Sequence, residues 1–506
     1  MYETWARAKN QWREDGEFDI IYPHMKKLCL EFAAFCAALI VVPLSGLSAD
    51  YVVAVEKTTK ADPAWNGVVE VLKAKHSAAV VVYDGNENLD GILPELKKNR
   101  PKYVCFVSKP ETAGRAFVVR VSQLLRRLDD DLYGDALWGI ITGYDAQDAL
   151  RQAKVPRAKV VRRVASSMGA GALEGFDAGF ASDEGNKDNF WRKLPGGKLE
   201  KVPTNGDPAM TMAEAFNTID VDYFVTSGHG RERNWQIIYN KDDGYLSHTE
   251  DASLIFTNQK HQSFRITNAC PKIYLAAGNC LLGHVDRRDC MMTSWMHSGG
   301  TEQSCGYTHV TFFGFMGWGI KSLLEESRCS FAEAFYLQNQ LLLWILQNTR
   351  NGVLATTEID PALFKGGDPV STMVNAHMKE LVEIHDGQPH MDQKSVGYLW
   401  DRDLVAFYGD PAYRVTFPAE RRPYDISVKG GKVEIVFRRD MDFGSSDDVR
   451  SARPIIALLE RPPTGRKLVD AAGKPVDKAV VTERFMLVPI AGAYKKGQRV
   501  VYRIVK

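Results

Sequence analysis

The chain has 506 residues, 45% of them hydrophobic and 25% charged, a globular composition too long for one ordinary core, so two or three domains are expected. Its 64 Lys and Arg nearly cancel its 63 Asp and Glu, which argues against a nucleic-acid partner or an anionic membrane surface drawn by net charge. Eight cysteines spread through an apolar-rich chain, with no CxxC pair, argue against a disulfide-stapled mini-protein and against a paired-cysteine zinc site.

The first informative segment begins at Met25, where Lys26 and Lys27 precede an apolar stretch from Leu28 to Leu44. Leu47, Ser48 and Ala49 then offer a small-residue cleavage site before Asp50. This reads as a secretory signal peptide over 25–49, although Glu31 is an awkward residue within it; residues 1–24 then read as an upstream translation artefact. No other stretch approaches the roughly 18 apolar residues of a membrane span, so the mature chain is expected to be exported without one. Cys29 and Cys36 fall in the signal. Cys105, Cys270, Cys280, Cys290, Cys305 and Cys329 remain, and in an exported protein these six could pair.

From Asp50 onward, short β-branched runs alternate with helical periodicity: YVVAV, DPAWNGVVEVLKAKHS, AAVVVY, YVCFV, GRAFVVRVSQLLRRL and LWGIITG. Such alternation predicts a parallel sheet covered by helices, with strands buried on both faces. Asp62 before Pro63 marks a helix start, because Asp caps free amides and Pro suits the first turn. A looser passage around LPGGKLEKVPTNGDP follows, and βα character returns with VDYFVTSGHG, KIYLAAGNC and GYTHVTFFGFMGWG. Ser330 and Glu333 form a capping box for a long apolar helix. The expected organisation is an α/β unit over 50–185, a second over 186–417 closing with YGDPAY, and an all-β sandwich over 418–506. Short strands and glycine turns give that last part an immunoglobulin-like look.

Two apolar strands each end in a reactive residue, His229 followed by Gly230, and Cys280. In parallel sheets functional groups gather at the carboxyl ends of strands, so neighbouring strands would deliver thiol and imidazole to one rim. A thiolate is the reactive form of cysteine, and an imidazole can take the thiol proton and return it to a leaving amine. The amides of Gly230 and Cys280 would suit an oxyanion hole. Each residue alone has a plainer reading, a packed strand-end histidine or a small buried cysteine, and only the pair in this order favours catalysis.

These residues resemble the caspase-like cysteine peptidases, and within that group the gingipain family. The resemblance rests on SGHG at Ser227–Gly230, AAGNCLLGHV at Ala276–Val285, the GGTEQSCGYTHV segment, and YGDPAY at Tyr408–Tyr413. It covers about Asp50 to Phe417. It implies two caspase-like parallel-sheet subdomains followed by an immunoglobulin-like domain, the Cys280–His229 dyad, and oxyanion amides at Gly230 and Cys280. Asn279 before the nucleophile and the long insert between the two motifs depart from the pattern and leave the substrate groove unassigned. An acidic residue near the histidine is also implied, and Asp183, Glu184 and Asp188 all stand upstream of it.

His284, Cys290 and His297 raise a metal reading, but no second ligand pair accompanies them. Phe312, Phe313, Phe315 and Trp318 suit either a substrate pocket or core packing. The sequence therefore predicts a secreted cysteine endopeptidase acting on proteins or peptides through a thioester, with no cofactor. Structural calcium is not readable. A catalytically silent cell-surface binding protein of the same fold and a transpeptidase using the same dyad are the alternatives.

Overall fold

The computed structural model describes residues 49–239, 243–349, 352–365, 381–444 and 453–506. The expected signal segment and the residues before it lie outside the described residues, apart from Ala49. The fold is mixed α/β, with one large sheet that is mostly parallel and several small antiparallel ones.

The large sheet has twelve strands. In chain order they are β1 (Tyr51–Glu56), β2 (Ala79–Tyr83), β3 (Tyr103–Val107), β4 (Leu137–Ile141), β5 (Arg163–Ser166) and β6 (Ala178–Ser182). They continue with β7 (Phe190–Lys193), β8 (Leu199–Lys201), β9 (Tyr223–Thr226), β10 (Lys272–Ala276), β11 (Thr301–Tyr307) and β12 (Val405–Tyr408). The spatial order is β2-β1-β3-β4-β12-β11-β10-β9-β5-β6-β7-β8. The two expected α/β units therefore share one continuous sheet and interleave in it, since β12, β11, β10 and β9 of the second lie between β1–β4 and β5–β6 of the first. The seam is narrow: β12 lies parallel to β4 through a single registered pair, Tyr408 with Ile140, and antiparallel to β11 over four pairs. Local sequence carries no sign of this seam, because β12 (Val405–Tyr408) stands far along the chain from β4 (Leu137–Ile141).

Burial on both faces explains the near-continuous apolar strands. Val52 and Ala54 of β1 enter the main core, while Val53 and Val55 face a second core with Cys105 and Val107 of β3. Helix α1 (Pro63–His76) covers that second face; Asp62 caps it by accepting from the Ala64 amide, with Pro63 in the first turn. Helix α2 is Arg115–Leu125 and α3 is Phe315–Glu325. Helix α4 (Phe331–Gln347) begins at the predicted capping box, with the Ser330 amide donating to Glu333 Oε2 at 2.8 Å. It spans the seam, since Phe335 meets Trp138 of β4 and both Phe331 and Phe335 meet Phe407 of β12. Helix α5 (Gln393–Asp403) leads into β12.

Asp410, in the turn after β12, is fully buried. It accepts from Tyr51 Oη at 2.9 Å and Lys75 Nζ at 2.8 Å, and pairs with His76 Nε2 at 2.7 Å. Against the cost of burial, the hydrogen bond with His76 and the charge of Lys75 hold its carboxyl below the usual range. The GDP turn is thus a clamp on the end of α1 as well as a chain reversal.

The looser passage after β6 becomes the antiparallel edge strands β7 and β8. The insert between the two motifs forms a five-stranded antiparallel sheet, from Gly230–Arg231 through Asn234–Gln236, Tyr245–His248 and Leu254–Thr257 to Ser263–Arg265. The C-terminal region consists of a four-stranded and a three-stranded antiparallel sheet around one small core, with a two-stranded ribbon, and this is what stands of the immunoglobulin-like expectation. The three-stranded sheet also turns Ile456, Phe485 and Leu487 into the main core. Phe485 packs edge-on to Tyr133 at 5.2 Å, and Arg484 donates to the carbonyls of Arg100, Pro101 and Asp135. No helix among the described residues is long and apolar enough to cross a membrane.

Candidate active site

Strands β5, β6, β9, β10 and β11 run parallel, so their carboxyl ends share one rim. That rim collects Ser167 after β5, Glu184 after β6, Ser227–Gly230 after β9, Gly278–Cys280 after β10 and Thr308–Thr311 after β11. β9 and β10 are direct neighbours, with Thr226 opposite Ala276. The two predicted residues, His229 and Cys280, therefore leave adjacent strands at the same edge.

The loops that carry them are bound to each other. Asn279, fully buried, accepts from Thr226 Oγ1 at 2.7 Å and donates from Nδ2 to the Gly228 carbonyl at 3.0 Å. The residue that departs from the family pattern is thus the tie between the thiol loop and the imidazole loop. Gly230 lies so close to the thiol loop that a Cβ there would come within 2.8 Å of the Cys280 carbonyl oxygen and of Leu282 Cγ. Only glycine fits that approach. After Cys280, Leu281 takes φ +63 while the Leu282 amide donates to the Cys280 carbonyl at 2.8 Å, a tight γ-type turn in a conformation that is strained for leucine. The Leu281 amide is anchored on the His309 carbonyl at 3.2 Å.

The two proposed oxyanion amides are not consumed by the fold. Gln236 N donates to the His229 carbonyl, so Gly230 and Trp235 face each other as a pair that exchanges no hydrogen bond, and the Gly230 amide points out of the ladder. Among the described residues the Cys280 amide donates to no backbone carbonyl.

Cys280 is half-buried, and its thiol lies 3.8 Å from the Thr311 carbonyl. Burial pushes the thiol up; backbone hydrogen bonding at Thr311 and at Cys280 itself opposes this, and the charge of Asp401 adds to it. The thiol is therefore a protonated group at neutral pH that needs a base. Among the described residues the other cysteines are also free. Cys105, Cys290 and Cys305 are buried, with thiols raised by desolvation, and behave as small apolar residues.

Of the three upstream carboxylates, Glu184 reaches the imidazole loop. Its Oε2 accepts from Ser227 Oγ at 2.5 Å, and it interacts electrostatically with His229. Burial raises its pKa, while the Ser227 hydroxyl and the histidine pull it down. Asp183 instead binds the Gly185 amide and Asn189 Nδ2, and Asp188 accepts from Thr204. His229 itself is exposed, and its ring stacks on Tyr239 at 4.3 Å with a 13° interplanar angle.

The far wall is the segment after β11, supported from below by Asp401 of α5. That fully buried carboxylate accepts from Thr311 Oγ1 at 3.3 Å, Tyr307 Oη at 3.2 Å and the Met316 amide at 2.9 Å. Burial nevertheless pushes it up to about 7. Nothing in the local sequence of α5 marks this role, since Asp401 lies far along the chain from the loop it supports. Of the four aromatics, Phe315 stacks on Tyr398 at 4.1 Å and Phe312 is partly buried against the core. Phe313 and Trp318 are each 41% exposed, and a Cβ at Gly278 would lie 3.3 Å from Trp318 Cζ2. The group thus divides between packing and exposed rings, of which Trp318 stands beside Gly278 of the thiol loop. The possible metal ligands go to separate partners: His284 to Arg115 and Glu232, Cys290 to Thr293, and His297 to Asp148.

No family model matches the chain, and no curated protein matches it. Among solved structures, it is similar to the crystal structure of the Arg-specific cysteine proteinase gingipain R. The identity is 11% and the TM-score 0.37, over 88% of this chain and 92% of that one. It is also similar to a structure described as a protease, at 9% identity and a TM-score of 0.34, over 90% of this chain and 98% of that one. Likenesses this loose leave the functional reading to the residues themselves.

Proposed function

We propose that this chain is an exported, gingipain-like cysteine endopeptidase in which Cys280 is the nucleophile and His229 its base. The observation that carries the proposal is the juxtaposition at the ends of β9 and β10, where the buried Asn279 side chain ties the two loops and Gly230 abuts the Cys280 carbonyl. In this reading His229 takes the Cys280 proton and the thiolate adds to the peptide carbonyl carbon. The amides of Gly230 and Cys280 receive the oxygen as it becomes negative. The amine then departs with the proton from His229, leaving a thioester. Water, deprotonated by His229, cleaves the thioester to the free acid and restores the thiol. Export through the Met25–Ala49 segment supplies a setting in which such a peptidase meets protein substrates.

The test is alkylation and hydrolysis together. Iodoacetamide should label Cys280 ahead of the other cysteines, and Cys280→Ala and His229→Ala should each abolish hydrolysis of a cleavable peptide. The double variant should be no worse than Cys280→Ala, because the two groups act as one unit. Wild-type hydrolysis by Cys280→Ala would sink the reading. Selective alkylation without hydrolysis of a peptide library would favour a silent binding protein, and conversion of added amines into new amides would favour a transpeptidase.

A further inference from the structure

In a nucleophile–histidine pair the imidazole is ordinarily oriented by a third group that hydrogen-bonds its other nitrogen. Here no described residue hydrogen-bonds the His229 ring. Glu184, the carboxylate at hand, gives its Oε2 to Ser227 Oγ and reaches the histidine through charge alone. An exposed imidazole without a hydrogen-bonded orienter would populate several rotamers, each spoiling the approach to Cys280. What the ring does have is an aromatic face: Tyr239 lies parallel to it at 4.3 Å and 13°.

The Tyr239 backbone is held at both its amide and its carbonyl. Its amide donates to the Glu184 carbonyl at 2.7 Å, which couples the stacking ring to the same loop that bears the carboxylate. Gln236 Nε2 donates to the Ile238 carbonyl at 2.8 Å and to the Tyr239 carbonyl at 3.4 Å. Gly228, at φ +93, clears the space between: a Cβ there would stand 3.3 Å from Glu184 Oε2 and 3.6 Å from Tyr239 Cδ2. The residue is 44% exposed, so burial does not account for its placement, and among the described residues its hydroxyl makes no hydrogen bond.

We propose that Tyr239 is the positioning residue for His229, its ring face fixing the imidazole plane at the rim beside Cys280 in place of a hydrogen-bonded third residue. This rests on the peptidase reading above, and two arms separate the failure of one from the failure of the other. In peptide hydrolysis, Tyr239→Ala should lower kcat about 10- to 100-fold with KM within about twofold, because only the alignment of the base is lost. Tyr239→Phe, which keeps the ring and drops the unused hydroxyl, should stay within about twofold of wild type. In NMR of His-labelled protein, the His229 ring protons should be displaced upfield by the stacked phenol, retain that displacement in Tyr239→Phe and lose it in Tyr239→Ala. Wild-type kcat in Tyr239→Ala overturns the proposal, as does a Tyr239→Phe variant as slow as Tyr239→Ala, which would assign the role to the hydroxyl. Absence of hydrolysis in the wild type overturns the peptidase reading. The NMR arm then decides the stack alone: equal His229 spectra in wild type and Tyr239→Ala refute it, and a relaxed shift in the variant upholds Tyr239 as the orienting group.

Discussion

Asn279→Ala is the perturbation that most directly tests how the site is assembled. Asn279 is fully buried, so its two hydrogen bonds have no water to replace them. Removing Nδ2 leaves the Gly228 carbonyl without its donor, a loss of about 1–3 kcal/mol for a buried polar group. Thr226 Oγ1 keeps Tyr274 Oη at 3.0 Å, so its lost acceptor costs little. The space vacated by the amide adds about 1 kcal/mol. The sum predicts a destabilisation of about 2–4 kcal/mol, read as a lower urea midpoint with unchanged slope. Because the same bonds join the two loops, alkylation of Cys280 should slow about 10- to 100-fold even where the protein remains folded. Asn279→Asp separates the two effects. It preserves an acceptor for Thr226 but sets a carboxylate oxygen against the Gly228 carbonyl, so it should be at least as destabilised as the alanine variant. A wild-type midpoint together with a wild-type alkylation rate in Asn279→Ala would refute the view that this side chain ties the site.

Three further outcomes are expected. The Asp401 carboxyl, raised by burial to about 7, binds its proton more tightly folded than unfolded. The Asp401 contribution to stability should thus be fully present below about pH 4, fall by up to about 4 kcal/mol as pH rises to about 7, and level off above. Denaturation of wild type and Asp401→Asn across that range should show the slope reduced in the variant, and identical slopes would refute the assignment. Glu184→Gln preserves an acceptor for Ser227 and deletes the charge near His229, so kcat should fall about tenfold with stability changed by less than about 1 kcal/mol; an unchanged kcat would remove Glu184 from the site. A chain ending at Ala419 uncovers the main core where Phe485, Leu487 and Ile456 enter it, at about 1.5–3 kcal/mol for each large apolar side chain lost. It should bind a hydrophobic dye and melt earlier, whereas an unaltered melting temperature would show the C-terminal sheets to be a detachable accessory.

What the sequence made legible follows from the range of the interactions involved. The βα alternation, the Asp62–Pro63 helix start and the Ser330–Glu333 box are local, and each appears where expected. The emergence of His229 and Cys280 at one rim needed one further assumption, that their strands are neighbours, and the Thr226–Ala276 pairing meets it. The choice of Glu184 over Asp183 and Asp188 turns on which carboxylate reaches Ser227, and three acids within six positions give no sign of that. Asn279 looked like a departure because its role depends on Thr226 and Gly228, some fifty residues upstream. Asp401 and Asp410 act across still longer separations, one beneath the Thr311 wall and the other on the end of α1. Tyr239 carried no signal at all, since a stacking contact on an exposed ring imposes no periodicity.

The two halves of the proposed dyad are built on different physical terms, and this bears on how variants should divide. The cysteine side is embedded: a buried asparagine, a strained turn at Leu281, and a wall propped by a fully buried carboxylate fix it as part of the core. Substitutions there disturb packing and buried hydrogen bonds, so they should reduce stability and rate together. The histidine side is open, held by one aromatic face and a neighbouring charge, with little apolar area at stake. Substitutions at Tyr239, Glu184 and His229 should therefore reduce rate and leave the unfolding midpoint nearly in place. A thiol that burial keeps protonated suits this division under the proposed function, in which the rigid side would hold the nucleophile in position and the exposed imidazole would come to it to take the proton. The rate then depends on how narrowly the imidazole is confined. Plotting alkylation rate against unfolding midpoint for variants of both sides should resolve two groups, and a single correlated line would show instead that both residues belong to one cooperatively packed core.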